Sequence, residues 1–296
     1  MTGPGVSSAV LVIHAGAGPG SAPNEQSAGE HRSALRESLK RGRAVLEARG
    51  DAIDAVQAAI VYMEDAVPFF NAGRGSVLCA DGSVEMSAAL MRGRDRAAGA
   101  VALIRRTRQP IVAAAAVLDR SPHVLLAGDA ADAFGAAAGL EQRDPSYFVT
   151  ERQRARLGEA GTDFTRGTVG AVCLDGHGHL AAGTSTGGRR GQAPGRIGDT
   201  PMIGAGTWAD HGVAVSCTGD GEEFIRAGAA HQLALLHQSG LALEEAADRA
   251  LRDVGDLGGR GGLIAVDRRG GAVMPFTSGA MNRGIWRAGE EPVVRI

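Results

Sequence analysis

Two patterns of apolar and polar residues alternate along the chain. Apolar side chains three to four positions apart are typical of helices with one buried face, and short apolar runs between glycine and polar residues are typical of strands. The first pattern predicts helices over residues 31–47, 51–64, 111–118, 127–138, 222–238 and 243–254. The second predicts strands over residues 10–18, 76–80, 83–90, 98–104, 168–175, 180–186 and 212–217, and a final hairpin within 261–276. Hairpin-connected strands between groups of helices favour an α+β domain with helices packed on antiparallel sheet.

The middle of the chain, residues 167–188, is unusually rich in glycine, threonine and serine. It predicts a hairpin centred on His177, which places Thr168 opposite Thr186 with Cβ atoms about 4.5–5.5 Å apart. Residues 141–167 before it are polar and charged with little periodicity, so we expect an exposed linker that ends at Gly167. A pair of hydroxyls is therefore predicted where this linker meets a strand.

The composition argues against several classes of protein. The 296 residues carry a net charge of −2, so no general attraction to nucleic acid or to a membrane surface is expected. The sequence has no run of about 18 apolar residues and no basic segment of a secretory signal, and its three cysteines are widely separated. These features favour a cytoplasmic protein. The only lysine, Lys40, lies in a predicted helix, which argues against a Walker phosphate loop and a lysine Schiff base.

Two of the three catalytic chemistries that we considered fit the sequence poorly. Residues 183–187 match the G-x-S-x-G motif of serine hydrolases, with Ser185 as nucleophile, but the Arg/Gly-rich residues that follow cannot form the helix of a nucleophile elbow. For metal catalysis, the sequence lacks an HExxH motif and a cysteine pair with the spacing of metal ligands. His177 and His179 are interpreted as polar turn residues. We therefore predict no metal ligands.

An N-terminal threonine nucleophile fits the hairpin better. If the chain is cut before Thr168, the freed α-amine, with a pKa of about 7.7–8.0, can act as the base that activates the hydroxyl. Thr186 faces this nucleophile across the hairpin. At the end of another predicted strand, the Thr218 hydroxyl and the Gly219 backbone N–H can stabilise an oxyanion. The alternative for each residue is an ordinary strand end.

Short motifs across nearly the whole chain resemble those of one enzyme family, and they occur in the same order. They are HAGAG, NAGRGSVL, VEM, TERQRARL, GTVGAVCLD, GTSTGG, GRIGDTPMIGAG, CTGDGEEFIR and MPF. Together they resemble the plant-type L-asparaginase/isoaspartyl peptidase family of threonine N-terminal-nucleophile hydrolases. The resemblance implies a single domain over residues 1–296, folded as a four-layer αββα sandwich.

The resemblance also implies an activity and a maturation step. Self-cleavage between Gly167 and Thr168 would produce an α subunit of residues 1–167 and a β subunit of residues 168–296, assembled as a dimer of αβ heterodimers. The mature enzyme would hydrolyse isoaspartyl dipeptides and the side-chain amide of L-asparagine through an acyl-enzyme on Thr168, and it would release L-aspartate.

Further site residues follow from the same resemblance. Arg196 would hold the substrate α-carboxylate with its bidentate fork. Asp199, assisted by the Gly221 carbonyl, would pair with the α-ammonium, and Asn71 would lie near the nucleophile that Thr186 orients. No cofactor is implied, and a structural Na⁺ or K⁺ can bind backbone carbonyls of the loop formed by residues 64–70. Outside the motif, the alternative for Arg196 and Asp199 is a surface ion pair.

The chain departs from the family pattern at a few positions. Ser87 and Arg92 stand where acidic residues are common, and residues 189–194 replace a loop that often carries Asn-Lys near the leaving group. One hypothesis is that Arg189 or Arg190 favours acidic leaving groups. Three other functions remain open: a glycosylasparaginase of the same family, a serine esterase using Ser185, and a binding homologue that never matures.

Overall fold

The computed structural model describes residues 9–18, 25–65, 69–158 and 167–296. Eight α-helices lie within these ranges: α1 Glu25–Glu47, α2 Ala52–Asp65, α3 Pro110–Arg120, α4 Gly128–Ala137, α5 Glu151–Gly158, α6 Gly221–Ala227, α7 Ala229–Gln238 and α8 Leu243–Asp256. Twelve strands accompany them: β1 Val10–Gly18, β2 Met86–Arg92, β3 Ala98–Ile104, β4 Leu125–Ala127, β5 Val169–Leu174, β6 Leu180–Thr186, β7 Thr207–Ala209, β8 Val213–Gly219, β9 Gly261–Asp267, β10 Ala272–Val273, β11 Ala280–Arg287 and β12 Val293–Arg295. The described part of the chain therefore has a mixed α and β architecture.

The larger of two sheets contains the predicted central hairpin. Its strand order is β12-β11-β1-β5-β6-β2-β3-β4, with neighbours antiparallel except for the β3–β4 pair. Strands β5 and β6 pair Val169 with Ser185 and Leu174 with Leu180, which centres the turn on His177. The predicted register is therefore confirmed.

Helix α2 spans the length of this hairpin. It packs on both β5 and β6, and small and branched side chains such as Ala55, Val56 and Ile60 fill the space between them. The Asp175 carboxylate, in the hairpin turn, accepts a hydrogen bond of 2.9 Å from the Ala52 N–H and thereby caps α2.

The smaller sheet, of order β10-β9-β8-β7, packs against the larger one. Strands β8 and β9 contact β1 and β5 across an apolar layer that includes Val12, Val172 and Ile264. Helices α7 and α8 cover the other face of this sheet and bury Leu233, Leu251 and their neighbours. The ends of β5, β6 and β8 thus meet at one edge of the sheet-to-sheet interface.

Several predicted elements differ from the observed ones. Residues 76–80 do not form a strand, because Ala80 N–H donates to the Gln192 carbonyl and Gly191 N–H donates to that of Leu78 instead of to strand neighbours. The helix predicted over residues 222–238 breaks at Gly228, which has φ +60° and separates α6 from α7. Strands β11 and β12 were missed, and α1 begins at Glu25 instead of at the predicted residue 31.

The predicted linker contains ordered structure before the self-cleavage position. Residues 145–148 form a short 3₁₀ helix and α5 follows, while residues 159–166 lie outside the described part of the chain. Phe148 is fully buried, and the buried Gln153 side chain donates to the Gly75 carbonyl at 2.8 Å. Residues 141–158 are therefore attached to the domain at these two side chains.

Among the described helices, none has the length and apolar character needed to span a bilayer.

Candidate active site

The two threonines at the open end of the hairpin are in hydrogen-bond contact. Thr168 Oγ1 donates to Thr186 Oγ1 over 3.2 Å, and both side chains are buried. Their position follows from the β5–β6 register, since Thr168 precedes the first paired residue of β5 and Thr186 ends β6. The two threonines therefore face each other across the hairpin, as the sequence predicted.

The carbonyl of Gly167 lies within the same hydrogen-bond network. Thr186 Oγ1 donates to the Gly167 carbonyl oxygen at 3.1 Å and accepts from Gly188 N–H at 3.0 Å. One hydroxyl therefore connects the Thr168 hydroxyl to the carbonyl of the preceding residue. A threonine hydroxyl and the peptide bond that it would attack are both held in place.

Asn71 binds this carbonyl from the other side. Its Nδ2 donates to the Gly167 carbonyl at 2.6 Å and to that of Gly188 at 2.7 Å, while its Oδ1 accepts the Val77 N–H at 2.9 Å. A Cβ at residue 167 would come within 2.8 Å of the Asn71 Cβ, so only glycine fits there without a shift. Sequence reasoning placed Asn71 near the nucleophile, and the structure adds that its amide donates to the Gly167 carbonyl.

Arg196 and Glu222 form a bidentate ion pair beside the threonines. Arg196 donates from Nε and Nη2 to the two carboxylate oxygens at 2.9 and 3.0 Å, and these bonds lower the pKa of Glu222 to about 2. Glu222 belongs to one of the family motifs, but the sequence analysis gave it no role. Its bidentate contact has the geometry with which a guanidinium binds a carboxylate ligand.

Asp199 is buried next to this pair, and one of its oxygens, Oδ2, has no hydrogen-bond partner among the described residues. Burial raises its pKa to about 6, although the nearby Arg196 charge lowers it in part. A Cβ added to Gly221 would come within 2.9 Å of both Arg196 Nη2 and Asp199 Oδ1. A buried carboxylate with an unused oxygen is thus available to a cationic group.

The residues proposed as oxyanion donors lie at the end of β8. Gly219 lines the same depression as Thr168 and has a φ of +151°, a conformation that other residues rarely adopt. Thr218 is buried, and its hydroxyl oxygen accepts the Ala17 N–H over 3.4 Å. The structure therefore brings Gly219 to the site, whereas the Thr218 hydroxyl contacts the backbone of β1.

A small depression joins most of the predicted residues, and its volume is about 10 Å³. Its lining consists of Gly167, Thr168, Thr186, Gly188, Arg189, Arg196, Gly198, Asp199, Thr200 and Gly219. This volume is about that of one water molecule, so the uncut chain has no room here for an amino acid. A cavity of about 1020 Å³ lies elsewhere, lined by His237, Asp267 and other residues, and it contains none of the predicted site residues.

Sequence reasoning missed a buried polar chain between the two sheets. His14 Nε2 and the Ser216 hydroxyl lie 2.9 Å apart, Ser216 contacts Thr184 Oγ1 at 2.8 Å, and Thr207 Oγ1 donates to Thr184 at 2.6 Å. Burial lowers the pKa of His14 to about 3, so the imidazole is neutral near neutral pH. The one trace of this polar chain in the sequence is the glycine at position 170. Gly170 pairs with His14 in the sheet, and a Cβ at this position would clash with both His14 and Ser216.

The structure contradicts the serine esterase alternative. Ser185 is fully buried, and its hydroxyl donates to Glu64 Oε1 at 2.6 Å. Strand alternation turns it away from the face of Thr184 and Thr186. Residues 187–198 after it form a loop, so the strand–turn–helix of a nucleophile elbow is missing.

One group of side chains in the described ranges has ligand atoms close enough to share a metal ion. Asp51, Asp175 and His179 bring these atoms within 4.8 Å of one another at the hairpin turn. Asp175, however, already accepts hydrogen bonds from the N–H groups of Ala52, His177 and His179, each at 2.9 Å. Through these hydrogen bonds, the Asp175 carboxylate stabilises the turn.

Comparison with known proteins identifies the family of this chain. A family model described as asparaginase matches residues 7–296. A protein named isoaspartyl peptidase from Salmonella typhimurium is 42% identical, with 97% of this chain and 98% of the relative aligned, and its Escherichia coli namesake is also 42% identical, over 97% and 96%. A rat protein named isoaspartyl peptidase/L-asparaginase is 40% identical over 93% of this chain and 85% of its own length. The chain therefore belongs to the asparaginase family that includes the isoaspartyl peptidases.

Proposed function

We propose that this protein is a self-cleaving threonine hydrolase that acts on isoaspartyl dipeptides and on the side-chain amide of L-asparagine. The observation that carries the proposal is the hydrogen-bonded chain from the Thr168 hydroxyl through Thr186 to the Gly167 carbonyl. The names and the near full-length similarity of the relatives support the choice of substrates.

Self-cleavage begins with attack of Thr168 Oγ1 on the Gly167 carbonyl carbon. The hydroxyl proton passes through the Thr186 hydroxyl to the Thr168 nitrogen, which leaves, and the negative charge on the carbonyl oxygen is stabilised by the Asn71 amide, whose Nδ2 lies 2.6 Å from it. The C–N bond then breaks, and an ester links Gly167 to the hydroxyl. Water hydrolyses this ester and leaves a free α-amine on Thr168.

The mature site uses the same hydroxyl on an external substrate. The neutral α-amine of Thr168 accepts the hydroxyl proton while Oγ1 attacks the amide carbon, and the leaving ammonia or amino acid takes a proton. Water then hydrolyses the acyl-enzyme and releases L-aspartate. Thr218 and Gly219 stabilise the oxyanion in this proposal, and the Thr218 hydroxyl can donate to it while its oxygen accepts the Ala17 N–H.

Substrate orientation depends on complementary charge. Arg196 binds the α-carboxylate through its guanidinium fork, and ionised Asp199 binds the α-ammonium, with the Gly221 carbonyl as a second acceptor. The close approach of Gly221 to both side chains supports this assignment. Because Gly167 lines the depression, backbone cleavage removes part of its wall and makes room for the substrate.

The proposal extends to fold class, assembly and location. Packing of helices on both outer sides of two stacked sheets supports a four-layer αββα sandwich of the N-terminal-nucleophile type. We expect subunits of residues 1–167 and 168–296, a dimer of αβ heterodimers, and a cytoplasmic location. The reaction requires no cofactor. A Na⁺ or K⁺ in the loop formed by residues 64–70 would be structural, and residues 66–68 of that loop lie outside the described part of the chain.

Turnover assays test the proposal. Wild-type protein should release L-aspartate from L-asparagine and from an isoaspartyl-leucine dipeptide, whereas Thr168→Ala should lose both activities and remain uncut. Ser185→Ala is the matched control and should retain activity, since its hydroxyl contacts Glu64 rather than the depression. A wild-type protein that binds but never hydrolyses these compounds would favour the non-maturing binding homologue. Hydrolysis of glycosylated asparagine alone would favour the glycosylasparaginase.

A further inference from the structure

The two adjacent arginines of the loop after β6 occupy different places. Arg189 lines the depression beside Thr168, and its Nη1 lies 3.3 Å from Glu222 Oε2. Arg190 is absent from that lining, and its Nη1 donates to the Arg156 carbonyl at 3.2 Å, at the end of α5. The sequence alone gave no reason to choose between them, and the structure places only Arg189 at the site.

The backbone before Arg189 is fixed to the reacting groups. Gly188 donates its N–H to Thr186 Oγ1 and accepts from Asn71 Nδ2 at its carbonyl. The Arg189 N–H in turn donates to Gln192 Oε1 at 2.9 Å, and Arg196 Nη1 contacts that same oxygen at 3.4 Å. A short turn thus fixes the backbone of Arg189 and contacts the guanidinium of Arg196 beside Thr168.

The depression is lined by two guanidinium groups, and an isoaspartyl dipeptide carries two carboxylates. Arg189 and Arg196 both contact the carboxylate of Glu222, and a guanidinium group is the side chain best suited to bind a carboxylate. L-Asparagine brings one carboxylate, for which Arg196 is the proposed partner. An isoaspartyl dipeptide brings a second one on its leaving group, which needs another cation.

We infer that Arg189 is a specificity residue that binds the free carboxylate of the leaving amino acid of an isoaspartyl dipeptide. This inference rests on the proposed function and adds a recognition site for the leaving group. Arg189 takes no part in bond breaking. Its contribution is a charge-assisted hydrogen bond that a peptide with a blocked carboxyl terminus cannot make.

The test combines a change of one functional group in the substrate with a change of one side chain in the protein. The kcat/KM of isoaspartyl-leucine is compared with that of the same compound carrying a C-terminal amide, in wild-type protein and in Arg189→Ala. We expect wild-type protein to prefer the free acid by about tenfold or more and Arg189→Ala to lose most of this preference. Arg190→Ala, the matched control, should keep it.

Each outcome separates the inference from the function on which it rests. Equal rates for the acid and the amide in wild-type protein would overturn the role of Arg189, and so would a preference that survives in Arg189→Ala or disappears in Arg190→Ala. If wild-type protein hydrolyses neither dipeptide, the proposed function itself fails. Should Arg189→Ala fail to mature, Arg189→Gln replaces it, and the wild-type ratio already decides whether the carboxylate is recognised.

Discussion

At the scale of single residues, hairpin arithmetic predicted the contact between Thr168 and Thr186, because residues equidistant from a turn must face each other. Long-range contacts were beyond such reasoning. Nothing local to Asn71 indicates that its amide reaches Gly167, 96 positions away, and Glu222 carried no signal beyond its motif. The side chains that hold the nucleophile were thus predictable in part, and the hydrogen bonds that define their roles were not.

Asn71→Asp should slow self-cleavage by about 100-fold. The aspartate keeps an acceptor for the Val77 N–H but loses both donors, so the oxyanion that forms at Gly167 is no longer stabilised. The fraction of uncut chain on a denaturing gel, followed over time after synthesis, measures this rate. An unchanged thermal transition of the uncut variant checks its fold, and cleavage at the wild-type rate would remove Asn71 from the maturation step.

Binding of the product L-aspartate should weaken in acid. Burial raises the pKa of Asp199 to about 6, so below that pH the carboxyl is increasingly neutral and no longer attracts an ammonium group. We expect the inhibition constant of L-aspartate to rise about tenfold per pH unit well below pH 6. Glu222, with a pKa of about 2, stays ionised over this range. If the inhibition constant of L-aspartate did not change between pH 7 and pH 5, the role of Asp199 would be contradicted.

At the scale of elements, periodicity identified most helices and strands, whereas breaks and edges escaped it. The pattern from 222 to 238 looks like one helix, because a left-handed residue at Gly228 leaves the apolar spacing on either side intact. Strand β11, with the sequence AMNRGIWR, contains arginine, asparagine and glycine residues, so its sequence resembles a surface loop. These features depend on packing and on backbone angles that local composition does not specify.

Two glycine substitutions should change stability in opposite directions. Gly228→Ala forces a side chain into the left-handed conformation at φ +60° and should cost about 1 kcal/mol, although a Cβ there meets no atom within 4 Å. Gly255, inside α8 and equally uncrowded, should gain up to about 1 kcal/mol on replacement by alanine. Thermal unfolding of both variants measures the difference. If the two variants changed the unfolding temperature equally, the left-handed backbone conformation at Gly228 would not be what divides α6 from α7.

At the scale of the whole molecule, the fold assembles one site from distant parts of the chain. The β5–β6 hairpin supplies the threonines, the loop before β2 supplies Asn71, and the segment after the hairpin supplies Arg196 and Asp199. The order of the motifs along the sequence predicted which residues belong to the site. The stacking of the two sheets and the small depression could be known only from the three-dimensional structure. In the continuous chain, the Thr168 hydroxyl lies beside Thr186 and the depression that they line is small.

The most direct test of this account is the intact mass and N-terminal sequence of the purified, active protein. We predict two polypeptides, of residues 1–167 and 168–296, with the second beginning Thr-Val-Gly-Ala, in place of the 30.2 kDa chain. Replacement of Thr168 by alanine should leave the single chain. A fully active wild-type protein found as one unbroken polypeptide would contradict the central claim that cleavage creates the nucleophile and its base together.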